Sequence, residues 1–194
     1  TGAVVGVLYN AEPSVDFGDG LFIPDDQTQC FSSQLTFTNF NAGAVVGNAN
    51  VDVENLYINF EHSYIGDLII TFICPNGSSI VVHQQNGSGT YLGEPIIGDE
   101  GLINTPGIGY DYWWEPDAVL GIWGDVLAGV LPSGVYESVQ PFTNLDGCPL
   151  NGTWEVEVCD AFGIDNGYIF DWSIEFAPEL YPEAISFTPT FGPE

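Results

Sequence analysis

Turn-forming residues cut this chain so often that a long amphipathic helix has nowhere to form. There are 24 Gly and 13 Pro in 194 residues. Between them the apolar positions gather into segments of strand length: Cys30–Phe40, Val51–Phe60, Asp67–Cys74, Ser79–His83, Gly152–Cys159 and Tyr168–Phe176. These segments are rich in β-branched and aromatic residues, which suit a pleated, half-buried surface, and Asn-Gly turns separate several of them. In Thr153–Asp160 the side chains of Trp154, Val156 and Val158 fall on one side, and Glu155, Glu157 and Cys159 on the other. A period of two is a strand with one buried face. Asp67–Cys74 (DLIITFIC) is apolar on both faces, as a central strand would be. The pattern predicts an all-β fold, a jelly-roll β-sandwich. Residues 84–139 break the pattern: a Gly- and Pro-rich run leads into GYDYWWEPDAVLGIWGD, which reads as a long aromatic-rich loop insert.

Charge narrows the function. The chain has 27 acidic residues and neither Lys nor Arg, for a formal charge of −27. Such a surface repels nucleic acid and anionic lipid, so neither is expected as a partner, and no apolar run is long enough for membrane insertion. Schiff-base chemistry, arginine clamps on phosphate, Lys–Asn crosslinks and ordinary salt bridges are all excluded within the chain. A hydrophobic content of 45% still provides for a packed core. The chain begins at Thr1 and lacks Met, so it reads as a mature or excised piece of a longer protein. Residues 1–20 and 178–194 read as linkers around a domain at 21–177.

Four cysteines allow three pairings. Two histidines and no Cys-x-x-Cys spacing leave too few ligands for zinc, so disulfides in an extracellular or cell-surface setting are the better reading. Cys74 ends one strand and Cys148 lies just before another; Cys30 starts a strand and Cys159 ends one. If those strands run antiparallel, the pairs Cys74–Cys148 and Cys30–Cys159 come within disulfide reach.

Two segments carry a resemblance. VDVENLYINFEHSYIGDLIITFICPNGSSIVVH (residues 51–83) and LNGTWEVEVCDAFGIDNGYIFDWSIEF (residues 150–176), with FIPDD at 22–26, resemble the P domain of subtilisin-like proprotein convertases. The Cys-Pro-Asn-Gly and Gly-Cys-Pro-Leu-Asn-Gly-Thr-Trp pieces, with the GYDYWW insert, are similar to P-type domains in large surface proteins of Bacteroidota, and the tail ISFTPTFG resembles the connection those proteins use to the next module. Those proteins are exported by the type IX secretion system, and many serve adhesion or gliding motility. Convertase P domains hold no active site and stabilise a protease neighbour. The resemblance implies a non-enzymatic structural or adhesive module of a secreted or cell-surface multidomain protein. The expected partners are neighbouring domains of the same polypeptide, with surface glycans or identical subunits as further ones. A carbohydrate-binding module and an accessory domain of a secreted protease are the alternatives.

Calcium is the expected cofactor, because a self-repelling acidic chain gains from a divalent cation and calcium takes carboxylate and carbonyl oxygens. The expected ligands lie in loops: Asp160 and Asp165 first, then Asp99 with Asp111, and Asp25. The plainer reading of each is a turn residue. Tyr112, Trp113 and Trp114 are the candidate ligand-binding residues, since exposed rings stack on sugars; a hydrophobic cluster beneath a loop is the competing reading. His62 and His83 are the only candidate catalytic bases, and a structural hydrogen-bonding role is expected for His62. Asn-Gly-Ser/Thr at Asn76, Asn86 and Asn151 reads as turns rather than glycan acceptors.

Overall fold

The computed structural model describes residues 13–23, 25, 29–96, 105–125 and 129–182. Two packed sheets make an all-β sandwich. The first sheet is wholly antiparallel. It holds β2 (Cys30–Phe37), β10 (Gly152–Asp160), β4 (Leu68–Ile73) and β5 (Ser79–Gln84), in that order. The second runs β1 (Leu21–Phe22), β11 (Gly167–Phe176), β3 (Val53–His62), β6 (Tyr91–Leu92), β8 (Val130–Leu131). On it, β7 (Tyr110–Trp114) pairs with β3 and with β9 (Gly134–Tyr136).

The period of two in Thr153–Asp160 is realised as read. Trp154, Val156 and Val158 are fully buried on β10, and Thr153, Glu155 and Glu157 lie outward. β4 is internal to its sheet, between β10 and β5. Its outward residues Ile69, Thr71 and Ile73 are only half-buried, so its apolar outer face stays partly wet. β3 starts at Val53 rather than Val51, because the preceding turn is helical. Ala49–Asp52 forms α1, whose N-cap Asn48 accepts a hydrogen bond from the Asn50 N–H.

The aromatic stretch at 110–114 is a strand, not a loop. It pairs with β3 from Leu56↔Trp114 to Phe60↔Tyr110, which turns Tyr112 and Trp114 inward and leaves Asp111 and Trp113 on the outer face. The inner rings join the single core. Trp114 lies 4.8 Å from Trp123 and 6.2 Å from Phe72, and Phe72 packs edge-on to Trp172 at 5.9 Å. A buried aromatic of this size contributes about 2–3 kcal/mol by leaving water.

Both expected bridges are present, Cys30–Cys159 and Cys74–Cys148. The first joins residues directly opposite each other on β2 and β10. Residues 13–20 and 178–181, read as linker, pack on the sandwich. Pro13 bridges to Leu35, Phe17 is buried, and the Tyr181 ring lies 4.9 Å from Phe40.

Candidate functional site at the acidic end of the sandwich

Two loops cross between the sheets side by side at one end. Residues 63–67 run from β3 to β4, and residues 161–166 run from β10 to β11. Strand pairing brings them together, since Asp160 sits opposite Leu68 and Gly167 opposite His62. A side chain at 167 would meet the Glu61 carbonyl and the His62 ring at 2.4 Å, so glycine is required there.

The loops are laced by hydrogen bonds. His62 is fully buried. Its Nδ1 accepts from the Tyr64 N–H at 3.0 Å, which puts the ring proton on Nε2, 3.2 Å from Asp160 Oδ2. Asp160 Oδ1 accepts from the Phe162 N–H. Ser63 Oγ donates to Asp165 Oδ1 at 3.1 Å, its N–H donates to the Asn166 carbonyl, and the Ala161 N–H donates to the Asp67 carbonyl. Asp25 reaches in from the first strand's neighbourhood. Its Oδ2 accepts from the Ile164 N–H at 3.0 Å, and its Oδ1 is buried with no partner among the described residues. The non-glycine residues with positive φ among those described, Gln85, Ser88 and Ile164, all lie at this end. At φ 112° the β-branched Ile164 is strained.

Asp25, Asp160 and Asp165 are therefore brought to one place. The residue that completes the group is Asp67, which the sequence reading passed over. It is only 7% exposed, and no described residue gives its carboxylate a hydrogen bond. Burial, then repulsion from Asp160 and Asp165, push its carboxyl up to about 6. In the sequence Asp67 heads the DLIITFIC run, where it reads as the start of a strand.

The second acidic pair does not assemble. Asp111 lies on the outer face of the second sheet, where it accepts from Tyr57 Oη and Asn59 Nδ2 at 2.7 Å each. Burial, and then that bond to Asp111, raise the Tyr57 hydroxyl above its usual range. Asp99 lies outside the described residues. Among the described residues, the group with three metal-ligating atoms inside 4.8 Å of one another is Cys30, Glu157 and Cys159, and its two sulfurs are bonded to each other. The acidic loop residues thus stand near one another without being drawn into an ion's shell.

Two of the three candidate ligand-binding rings are corrected by the fold. Tyr112 and Trp114 are fully buried and can meet no ligand. The Tyr112 hydroxyl donates to the Leu131 carbonyl and accepts from the Gly93 N–H. Trp113 alone stays partly exposed, stacked on Tyr57 at 5.3 Å. His83 is buried as well. Its Nε2 lies 2.9 Å from the Ile65 carbonyl, and burial pulls its pKa down to about 4.

No model of a known protein family matches the chain, and none of the curated proteins matches it. The two disulfides are those of a chain that folds in an oxidising compartment. No helix among the described residues is long and apolar enough to cross a membrane.

Proposed function

We propose that this chain is a non-enzymatic structural or adhesive module of a secreted or cell-surface multidomain protein, of the convertase P-domain type. The sequence segments that resemble that family form β3–β5 and β10–β11, the strands that carry the sandwich core. The observation that carries the non-enzymatic reading is the fate of the histidines. Both are buried and engaged: His62 with Asp160 and the Tyr64 N–H, His83 with the Ile65 carbonyl. Ser63, the hydroxyl beside His62 in the chain, donates to a carboxylate instead. The general base that a nucleophile needs is thereby spent on tying loops together.

Calcium belongs to the same proposal. Asp25 Oδ1 is a buried oxygen with no partner among the described residues, and Asp165 stands across the loop from it with one oxygen bonded to Ser63. A cation held by Asp25, Asp160 and Asp165 would fasten the 161–166 loop to residue 25 and relieve the crowding of negative charge. The test is thermal melting of the chain in calcium, in magnesium and in chelator. The expected result is a melting temperature raised by calcium, little by magnesium, and not at all in Asp25→Asn or Asp165→Asn. Identical melting in calcium and chelator refutes the ion. Hydrolytic turnover abolished by His62→Gln refutes the non-enzymatic reading.

A further inference from the structure

A cleft of about 440 Å³ opens beside the acidic end, lined by Tyr64, Asp67, Gln85, Asn86, Ser88 and Phe162 among others. We propose that this cleft receives the side chain of a Lys or Arg residue of a partner protein; the inference rests on the adhesive reading above. Its chemistry is specific. Asp67, a residue only 7% exposed, lines the cleft, and its carboxylate has no hydrogen-bond partner among the described residues. A carboxylate with no protein partner on the wall of a confined cleft is a ready acceptor for a cationic head group. Asp25, Asp160 and Asp165 stand close enough to act electrostatically on Asp67, so the potential in the cleft favours a positive group.

The walls decide between cations. A bare metal ion has no use for two aromatic rings. An aliphatic stem with a charged head does, because Tyr64 and the 53% exposed Phe162 offer apolar and π surface along its length. Gln85 and Ser88 line the same cleft, with side-chain oxygens of the type that accepts the head group's remaining protons. An anion is repelled, and a neutral sugar would leave the negative charge uncompensated. The chain itself has no Lys or Arg, so a second copy has no such side chain to insert. The Lys or Arg therefore comes from a sequence other than these 194 residues.

The test is an NMR titration of the whole chain, at low salt with chelator, using acetyl-Gly-Gly-Lys-Gly-Gly-amide, its Arg counterpart and its norleucine counterpart. The Lys or Arg peptide is expected to shift the amides of Gly66, Ser88 and Phe162 in a saturable way, and the norleucine peptide is not. Asp67→Asn is expected to weaken binding by about tenfold or more, the loss typical of one partner in a charge-assisted contact. Phe162→Ala, at a solvent-facing position that spares the fold, should weaken it several-fold. Equal binding of the norleucine peptide, shifts confined to another face, or unchanged affinity in both variants overturns the proposal. Melting of the same proteins in calcium separates the two readings. A calcium response without peptide binding overturns the cleft and keeps the ion; peptide binding without a calcium response does the reverse.

Discussion

Acid should act on this protein through His83 in a direction that its carboxylates oppose. The ring is buried, 5.1 Å from Trp123, and its pKa falls from 6.5 to about 4 on folding, chiefly through loss of water. A histidine with a depressed pKa contributes stability that is complete above its unfolded value and is lost as pH falls toward the folded one. The full drop corresponds to about 3 kcal/mol, of which about 2 kcal/mol is lost by pH 5. Asp67 works the other way. Its folded pKa of about 6 exceeds the 3.8 of the unfolded chain, so stability is gained as pH falls between those values. The wild-type curve alone therefore conceals both effects. His83→Gln keeps an N–H for the Ile65 carbonyl and removes the titration. Urea unfolding followed by tryptophan fluorescence, at pH 8 and at pH 5, gives the difference between the two proteins. That difference should shift by about 2 kcal/mol in favour of the variant at the lower pH, because Asp67 is common to both. A wild-type-minus-variant difference that stays constant across this range would refute the buried neutral ring.

Two further outcomes follow from packing and connectivity. Replacing Cys30 and Cys159 by Ser opens a loop of 129 residues, shortened by the intact inner bridge Cys74–Cys148, and should cost about 4 kcal/mol in the chain-entropy account, read from the urea midpoint; a loss below about 1 kcal/mol would contradict it. Trp114→Ala should destabilise by about 3–5 kcal/mol, whereas Trp113→Ala should cost no more than about 1.5 kcal/mol, since only a cross-strand stack with Tyr57 is lost; equal costs in a melting series would show that the register of β7 is wrong.

Strands with a clear apolar pattern were legible in the chain. Alternation in 153–160 and the apolar run 68–73 foretold β10 and β4, and strand ends foretold both disulfides. Residues 110–114 were hidden because tryptophan stands on both faces of that strand, at 113 and 114, so polarity does not alternate. Only the pairing Ile58↔Tyr112 shows which ring turns inward. The same register explains why Asp111 is no partner of Asp160: it faces Asn59, on the outside of the other sheet. Asp25, Asp160 and Asp165 could be picked out as loop carboxylates next to strand ends. Asp67 could not, because its burial is created by residues about a hundred positions away that cross the sandwich beside it.

The two disulfides are nested, with Cys74 and Cys148 lying between Cys30 and Cys159 in the chain. A single backbone cut anywhere between Cys30 and Cys159 thus divides the polypeptide without dividing the molecule, since the outer bridge still joins the two pieces. β10, internal to its sheet, is held near both ends: Cys148 precedes it and Cys159 lies within it. Proteases that cut after Lys or Arg have no site at all in this chain. For one that cuts elsewhere between Cys30 and Cys159, release of a fragment takes a second cut, and until it comes the nicked protein keeps its sheet partners at hand and can close again.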